Sequence, residues 1–157
     1  MQQRLSSFET AHGAINAMLG ITKYLSKSKV EPQLLHLVEF RISQINGCAY
    51  CLDMHSKDLR YDGDTEQRLY TLPAWREAPF YTDRERAALA WAEAVTTLKN
   101  GEVPDDVYVE AKKHFSEEEL VDITLAAATT GSWNRINIAF RTPAGTYQPG
   151  QWSAAAK

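Results

Sequence analysis

Cys48 and Cys51 are the only two cysteines of the chain, and His55 follows four residues after the second. A cysteine pair separated by two residues can close and reopen a disulfide within one helical turn. A histidine beside it can move protons on and off the thiols. At about 100° per residue in a helix, Cys51 lies roughly 60° round from Cys48 and His55 falls between them in angle. His55 also stands at the (i, i+4) spacing from Cys51 that lets side chains touch. Cys48 is expected in the first turn, just after a cap at Asn46-Gly47, where free N–H groups stabilise a thiolate. Together these features describe a dithiol–disulfide cycle. One thiolate attacks a peroxide oxygen or a partner disulfide, and the other resolves the product by closing the Cys48–Cys51 bond.

Other readings of the same residues stay open. Two buried cysteines can serve simply as small hydrophobes. A zinc site would use thiolate and imidazole, but the local set offers three ligands where a structural site wants four. No metal is therefore expected. No dinucleotide fingerprint, phosphate-cradling loop or Gly-x-Ser-x-Gly elbow occurs, so no cofactor is expected either. Upstream, His36, Glu39 and Ser43 repeat the i, i+3, i+7 spacing as a polar stripe among apolar residues. This stripe is either a solvated face or a proton relay turned toward the thiols, because a free thiol near its usual pKa of about 8.5 is mostly protonated at neutral pH.

The elements that must hold these groups read as helices almost throughout. Ala11 to Ser26 carries a helical apolar pattern, and Pro32 suits the first turn of a second helix that runs through Leu34, Leu35, Val38, Ile42 and Ile45 to Asn46-Gly47. A third helix is predicted from the cysteines towards Arg60, broken by Asp62-Gly63-Asp64. Asp64 is expected to cap a short helix through Leu72. Thr82 with Glu85 and Ser116 with Glu119 have capping-box form, opening helices to Leu98 and to about Phe140. Pro104 starts another helix between them. No alternating pattern argues for a sheet. The predicted fold class is all-α, a compact multi-helix domain spanning 1–157 with its core at about 34–140 and an extended tail over 141–157. Tyr147 and Trp152 are the residues that could dock that tail on a neighbour.

Composition narrows the function. The chain has 157 residues, 44% of them hydrophobic and 24% charged, as in an ordinary globular protein. A net charge of −3 and a pI near 5.8 offer no basic footprint for nucleic acid or anionic membrane. No apolar run is long enough to span a membrane, and Met1-Gln2-Gln3-Arg4 lacks the features of a signal peptide. The expected compartment is the cytoplasm, where stable disulfides are rare and a close cysteine pair is more often catalytic or metal-binding.

The string Arg41-x-Ser43-Gln44-Ile45-Asn46-Gly47-Cys48-Ala49-Tyr50-Cys51-x-Asp53-Met54-His55 resembles the core of the alkylhydroperoxidase D-like branch of the carboxymuconolactone decarboxylase superfamily. Thr65–Leu69, Glu85–Trp91 and Trp133–Asn137 extend the resemblance over about Leu34 to Phe140. It implies an all-helical domain assembling into homo-oligomers, often trimers or hexamers. It also implies metal-free thiol peroxidase or disulfide oxidoreductase activity, taking a hydroperoxide or disulfide and a dithiol reductant or reductase partner. Carried over, Cys51 attacks peroxide, Cys48 resolves, and His55 accepts the proton with help from an upstream glutamate. The chain departs from the pattern twice. His36 stands where that glutamate is usual, with Glu39 one turn closer, and Tyr50 stands where the founding type has histidine. For exchange with a partner disulfide, Cys48 is the expected first attacker. The alternatives are a redox sensor or scaffold whose assembly follows Cys48–Cys51 oxidation, and a lactone decarboxylase, for which a dithiol is unnecessary.

Elsewhere, Ala126 to Ser132 is a run of small residues suited to close helix packing. Trp133, Asn134 and Asn137 read as a packed tryptophan with helix-end polar groups, or as the border of a pocket or interface. His12 and His114 read as surface residues, and Arg84, Glu85 and Arg86 as a solvated first turn.

Overall fold

The computed structural model describes residues 2–151 and contains eight α-helices, with no strand among those residues. They are α1 (Ser7–Thr10), α2 (His12–Leu25), α3 (Pro32–Asn46), α4 (Ala49–Tyr61), α5 (Glu66–Thr71), α6 (Asp83–Thr97), α7 (Asp105–His114) and α8 (Glu117–Phe140). The all-α expectation holds. No helix among the described residues is long and apolar enough to cross a membrane.

Helix α3 is the hub, packing against α4, α6 and α8. Its apolar residues serve two cores. Leu35, Val38 and Ile42 meet Ala88 and Ala92 of α6 and Ile123, Ala126 and Ala127 of α8. Leu37 and Phe40 meet Leu59, Leu69, Leu72, Trp75 and Leu89. Alanines where α6 and α8 face this cluster let the backbones approach closely, and the buried part of the small-residue run (Ala126, Ala127, Thr129, Thr130, Gly131) is spent inside the chain in this way. Trp133 stacks on Phe8 of α1 with ring centroids 6.0 Å apart.

Both capping boxes form: Thr82 and Ser116 accept from the backbone N–H of Glu85 and Glu119, whose carboxylates return the bond. The short fifth helix is capped differently from expectation. Thr65, not Asp64, is its N-cap, and the Asp64 carboxylate instead accepts from Thr65 N and Arg68 Nε. The helix ends at Thr71 and tightens into a 3-10 turn over Leu72–Ala74, because Pro73 cannot donate to a continuing ladder.

The expected solvated turn Arg84-Glu85-Arg86 is corrected by its contacts. Arg86 donates to the carbonyls of Trp75, Arg76, Ala78 and Tyr81, so its fork satisfies the irregular connector before α6. Arg84 ties Glu31, Glu119 and the His114 carbonyl together, and Glu85 binds Arg68. His114 bonds Glu110 one turn back.

One turn of backbone decides where the cysteines sit. Gly47 ends α3 in the left-handed region at φ 70°, and the N–H groups of Gly47 and Cys48 both fold back on the Ser43 carbonyl. The chain reverses there and starts α4 at once. A Cβ at Gly47 would meet nothing within 4 Å, so the cost of Gly47→Ala is the backbone alone. We expect a loss of about 1–2 kcal/mol, read as a drop of a few degrees in the thermal midpoint. An unchanged midpoint would contradict this reading of the turn.

Candidate active site

Three helices converge on the cysteines. Helix α3 brings Glu39 and Ser43, α4 brings Cys48, Cys51 and His55, and α8 brings Asn134 and Asn137. Because α3 packs on both α4 and α8, it fixes the distance between the other two.

Cys48 and Cys51 are joined in a disulfide, with Cα atoms 5.3 Å apart. Cys48 is the N-cap of α4 itself rather than a first-turn residue. Its Sγ accepts from the Cys51 N–H at 3.3 Å, the bond that a serine or aspartate would make at a helix start. The helix terminus thus acts on the Cys48 sulfur directly. The Cys51 sulfur receives a different donor, Nδ2 of Asn137 at 3.5 Å. Each cysteine is 1% exposed, so the charge a sulfur can carry depends on these local groups rather than on water.

The polar stripe of α3 divides. Ser43 is fully buried and its Oγ accepts from Asn134 Nδ2 at 3.1 Å, while Asn134 Oδ1 accepts from Asn46 at 2.9 Å. Glu39 turns towards the site, with Oε2 3.5 Å from Nδ1 of His55. His36 pairs with Asp62 at 3.0 Å on the flank of α4 and acts on Glu39 and His55 only electrostatically. Of the two residues offered for the relay, Glu39 is therefore the one beside His55.

His55 Nδ1 is buried and lacks a hydrogen-bond partner in this disulfide form; the 3.5 Å approach of Glu39 falls just outside hydrogen-bond geometry. A buried polar atom left unpaired costs about 1–3 kcal/mol and calls for an explanation. A proton shared between Nδ1 and the Glu39 carboxylate, after a shift of a few tenths of an ångström, would supply one. Burial pushes Glu39 up to about 7, with Asp58 adding to the rise and His36 opposing it. Burial also pushes His55 down to about 3, so the imidazole is a neutral base at physiological pH.

The fold favours the protonated form of Glu39, so its contribution is fully present below about pH 4.5 and is lost as pH rises through about 7. Glu39→Gln mimics the protonated form. It is expected to leave thermal stability nearly unchanged near pH 4.5 and to raise it at pH 8, by at most about 3 kcal/mol. Equal effects at the two pH values in thermal unfolding would sink this assignment.

The tail folds onto α4 of its own chain. Gly145 N donates to Asp53, Lys57 Nζ donates to the carbonyls of Gly145 and Tyr147, and the Tyr147 hydroxyl donates to Asp58 at 2.7 Å. Tyr147 is buried; Trp152 lies outside the described residues. Asp58, itself raised by burial and partly offset by this bond, is the carboxylate that acts on Glu39. Among the described residues, no group of three or more His, Cys, Asp or Glu side chains is placed to hold a metal ion.

Sequence reasoning did not assign Asn137 to the cysteines. The available signal was two asparagines at i, i+3 within a largely apolar helix, where carboxamides are costly unless bonded.

Fold and site together define a helical CxxC protein, and the chain belongs to the carboxymuconolactone decarboxylase family, whose model matches residues 10–94. Among its relatives is the Bacillus subtilis protein YdfG, 42% identical over 139 residues that cover 88% of this chain and 95% of YdfG. The crystal structure of ATU0492 from Agrobacterium tumefaciens, a candidate antioxidant defence protein AhpD, is 39% identical. It superposes with a TM-score of 0.88 over 93% of this chain and all of that one. A peroxidase-related protein from Ralstonia eutropha JMP134, described as an alkylhydroperoxidase AhpD core, shares the fold at 20% identity. Its TM-score is 0.77 over 87% of this chain and 73% of that one.

Proposed function

We propose that this chain is a thiol-dependent oxidoreductase that reduces hydroperoxides, cycling Cys48 and Cys51 between dithiol and disulfide. The observation that carries the reading is the disulfide at the start of α4 with the Glu39–His55 pair behind it. Nδ1 of His55 faces the carboxylate, which leaves Nε2 as the ring nitrogen for the Cys51 proton.

In the reduced protein His55 takes the Cys51 proton. The thiolate attacks the terminal peroxide oxygen, the O–O bond breaks, and the alkoxide leaves as alcohol with the proton His55 held. Cys51 is then a sulfenic acid. The Cys48 sulfur displaces its hydroxyl, which departs as water with the Cys48 proton, and the disulfide closes. The two electrons come from the sulfur pair, and an external dithiol or a reductase returns them by thiol–disulfide exchange. Such a cycle suits a reducing compartment such as the cytoplasm. A homo-oligomer, trimer or hexamer, is the proposed assembly.

The test is consumption of an alkyl hydroperoxide by the protein with a dithiol reductant in excess. Sustained turnover supports the proposal. A disulfide that forms without turnover would overturn it in favour of a redox sensor.

A further inference from the structure

We propose that Asn137 is a further catalytic residue, whose side-chain N–H holds the Cys51 thiolate through the attacking step. The inference rests on the peroxidase reading for its purpose, but its geometry stands independently.

Asn134 and Asn137 project from the same face of α8, one turn apart, and both are buried. Asn134 has an evident structural use: it accepts from Asn46 and donates to Ser43, clamping α8 to α3 with good oxygen partners. Asn137 is different. Its N–H is directed at the Cys51 sulfur at 3.5 Å. A disulfide or thiol sulfur is a weak acceptor, so this contact returns little for the desolvation of a carboxamide. A thiolate is a full anionic acceptor, and a charge-assisted bond is roughly twice as strong as a neutral one. The placement therefore gains its value in the state where Cys51 carries the charge.

The other groups described around Cys51 serve its proton or the neighbouring sulfur, and the imidazolium that His55 becomes after the transfer acts together with the Asn137 N–H. Burial alone would raise a thiol's pKa. The helix-terminal donor, the Cys51 N–H, is directed at Cys48. His55 and Glu39, from α4 and α3, move the proton; His55 is neutral before the transfer and cationic only while it holds that proton, and His36 and Asp58 act electrostatically on this pair from the flank. Arg135 is the sole ionisable side chain in the second half of α8, and it is exposed and donates to the Gly131 carbonyl. Each sulfur of the pair thus has its own donor, and the one serving Cys51 comes from Asn137.

The experiment measures the ionisation of each cysteine separately in the reduced protein. In a Cys48→Ser background, the rate of iodoacetamide alkylation of Cys51 is followed against pH, with and without Asn137→Ala and Asn137→Ser. The matching pair for Cys48 is made in a Cys51→Ser background. Loss of the donor is expected to move the Cys51 titration up by about one pH unit, so alkylation near neutral pH slows about tenfold, while the Cys48 titration stays in place. Asn137→Asp, of the same shape but lacking the N–H, is expected to move Cys51 at least as far. An unmoved Cys51 titration in a variant with native helical content overturns the proposal. So does an equal shift at Cys48, which would mark a general loosening of the site. If Asn137→Ala fails to fold, the serine and aspartate variants decide by the same two outcomes. The measurement needs no peroxide turnover: an inactive wild type with a shifted Cys51 titration would fail the peroxidase reading alone, and an active one without the shift would fail Asn137 alone.

Discussion

Replacing Cys51 with serine is expected to reduce peroxide consumption to background, a loss of about 10³-fold or more. The reacting species is the thiolate, and a serine hydroxyl at the same place is neither ionised near neutral pH nor able to form a sulfenic acid. Cys48→Ser should behave differently. The attacking sulfur, His55 and Asn137 all remain, so one equivalent of peroxide per subunit is consumed at close to the normal rate. Turnover then stalls, because no neighbouring thiol can displace the hydroxyl from Cys51. A burst followed by arrest, read by rapid-mixing peroxide assay, is the expected signature. Exchange with a protein disulfide is expected to reverse the roles, since Cys48 carries the helix-terminal donor. There Cys48→Ser should lose the first step itself. The two variants thus separate peroxide attack from disulfide attack within the same pair.

The second large effect is expected at the relay. His55→Ala should slow the first turnover about 10²- to 10³-fold at pH 7, the range usual for removing a positioned base. The loss should shrink towards pH 9, where a thiol ionises without help. In the wild type His55 is neutral throughout the working range, because burial holds it near 3. Burial raises Glu39 to about 7, and under the proposed relay its ionised form is the competent one. The rate should therefore rise with pH through about 7. Glu39→Gln should lose roughly tenfold at pH 8 and lose that rise as well. It would then be the more stable protein and the slower enzyme, a trade made at one carboxylate. His36→Ala is expected to stay within about twofold, since His36 pairs with Asp62 rather than with the site. A large loss at His36 with none at Glu39 would move the relay to the position where the resemblance places a glutamate.

Much of the frame was legible because helix ends carry local chemistry. The capping boxes at Thr82 and Ser116, Pro32 at the start of α3 and Gly47 at its end act through neighbours three or four residues away, and sequence displays such neighbours directly. Asp64 and Thr65 show the limit of that reasoning: both can cap, and the choice fell to Thr65 because Arg68 draws the Asp64 carboxylate into an ion pair. The site was legible along α4 and ambiguous across helices. His36 and Glu39 lie within one turn of the same face, so periodicity cannot rank them; in the folded chain His36 pairs with Asp62 at the far end of α4 and Glu39 lies beside His55. The Asn137–Cys51 contact joins residues 86 positions apart and leaves no trace in spacing. Arg84 and Arg86 looked solvated for the same reason, as the carbonyls and carboxylates they bind come together only in the folded chain. The sequence offers Tyr147 as a residue that docks the tail on a neighbour, whereas the surface it meets is α4 of its own chain.

The most direct test is to identify the atom that peroxide oxidises. Reduced Cys48→Ser protein is mixed with one equivalent of alkyl hydroperoxide in the presence of a sulfenic-acid trap such as dimedone, and the peptides are weighed. The expected result is one adduct on Cys51 per subunit, formed as the peroxide disappears, with the yield falling sharply in Cys48→Ser/His55→Ala. Peroxide that remains while Cys51 stays unmodified would contradict the proposed chemistry.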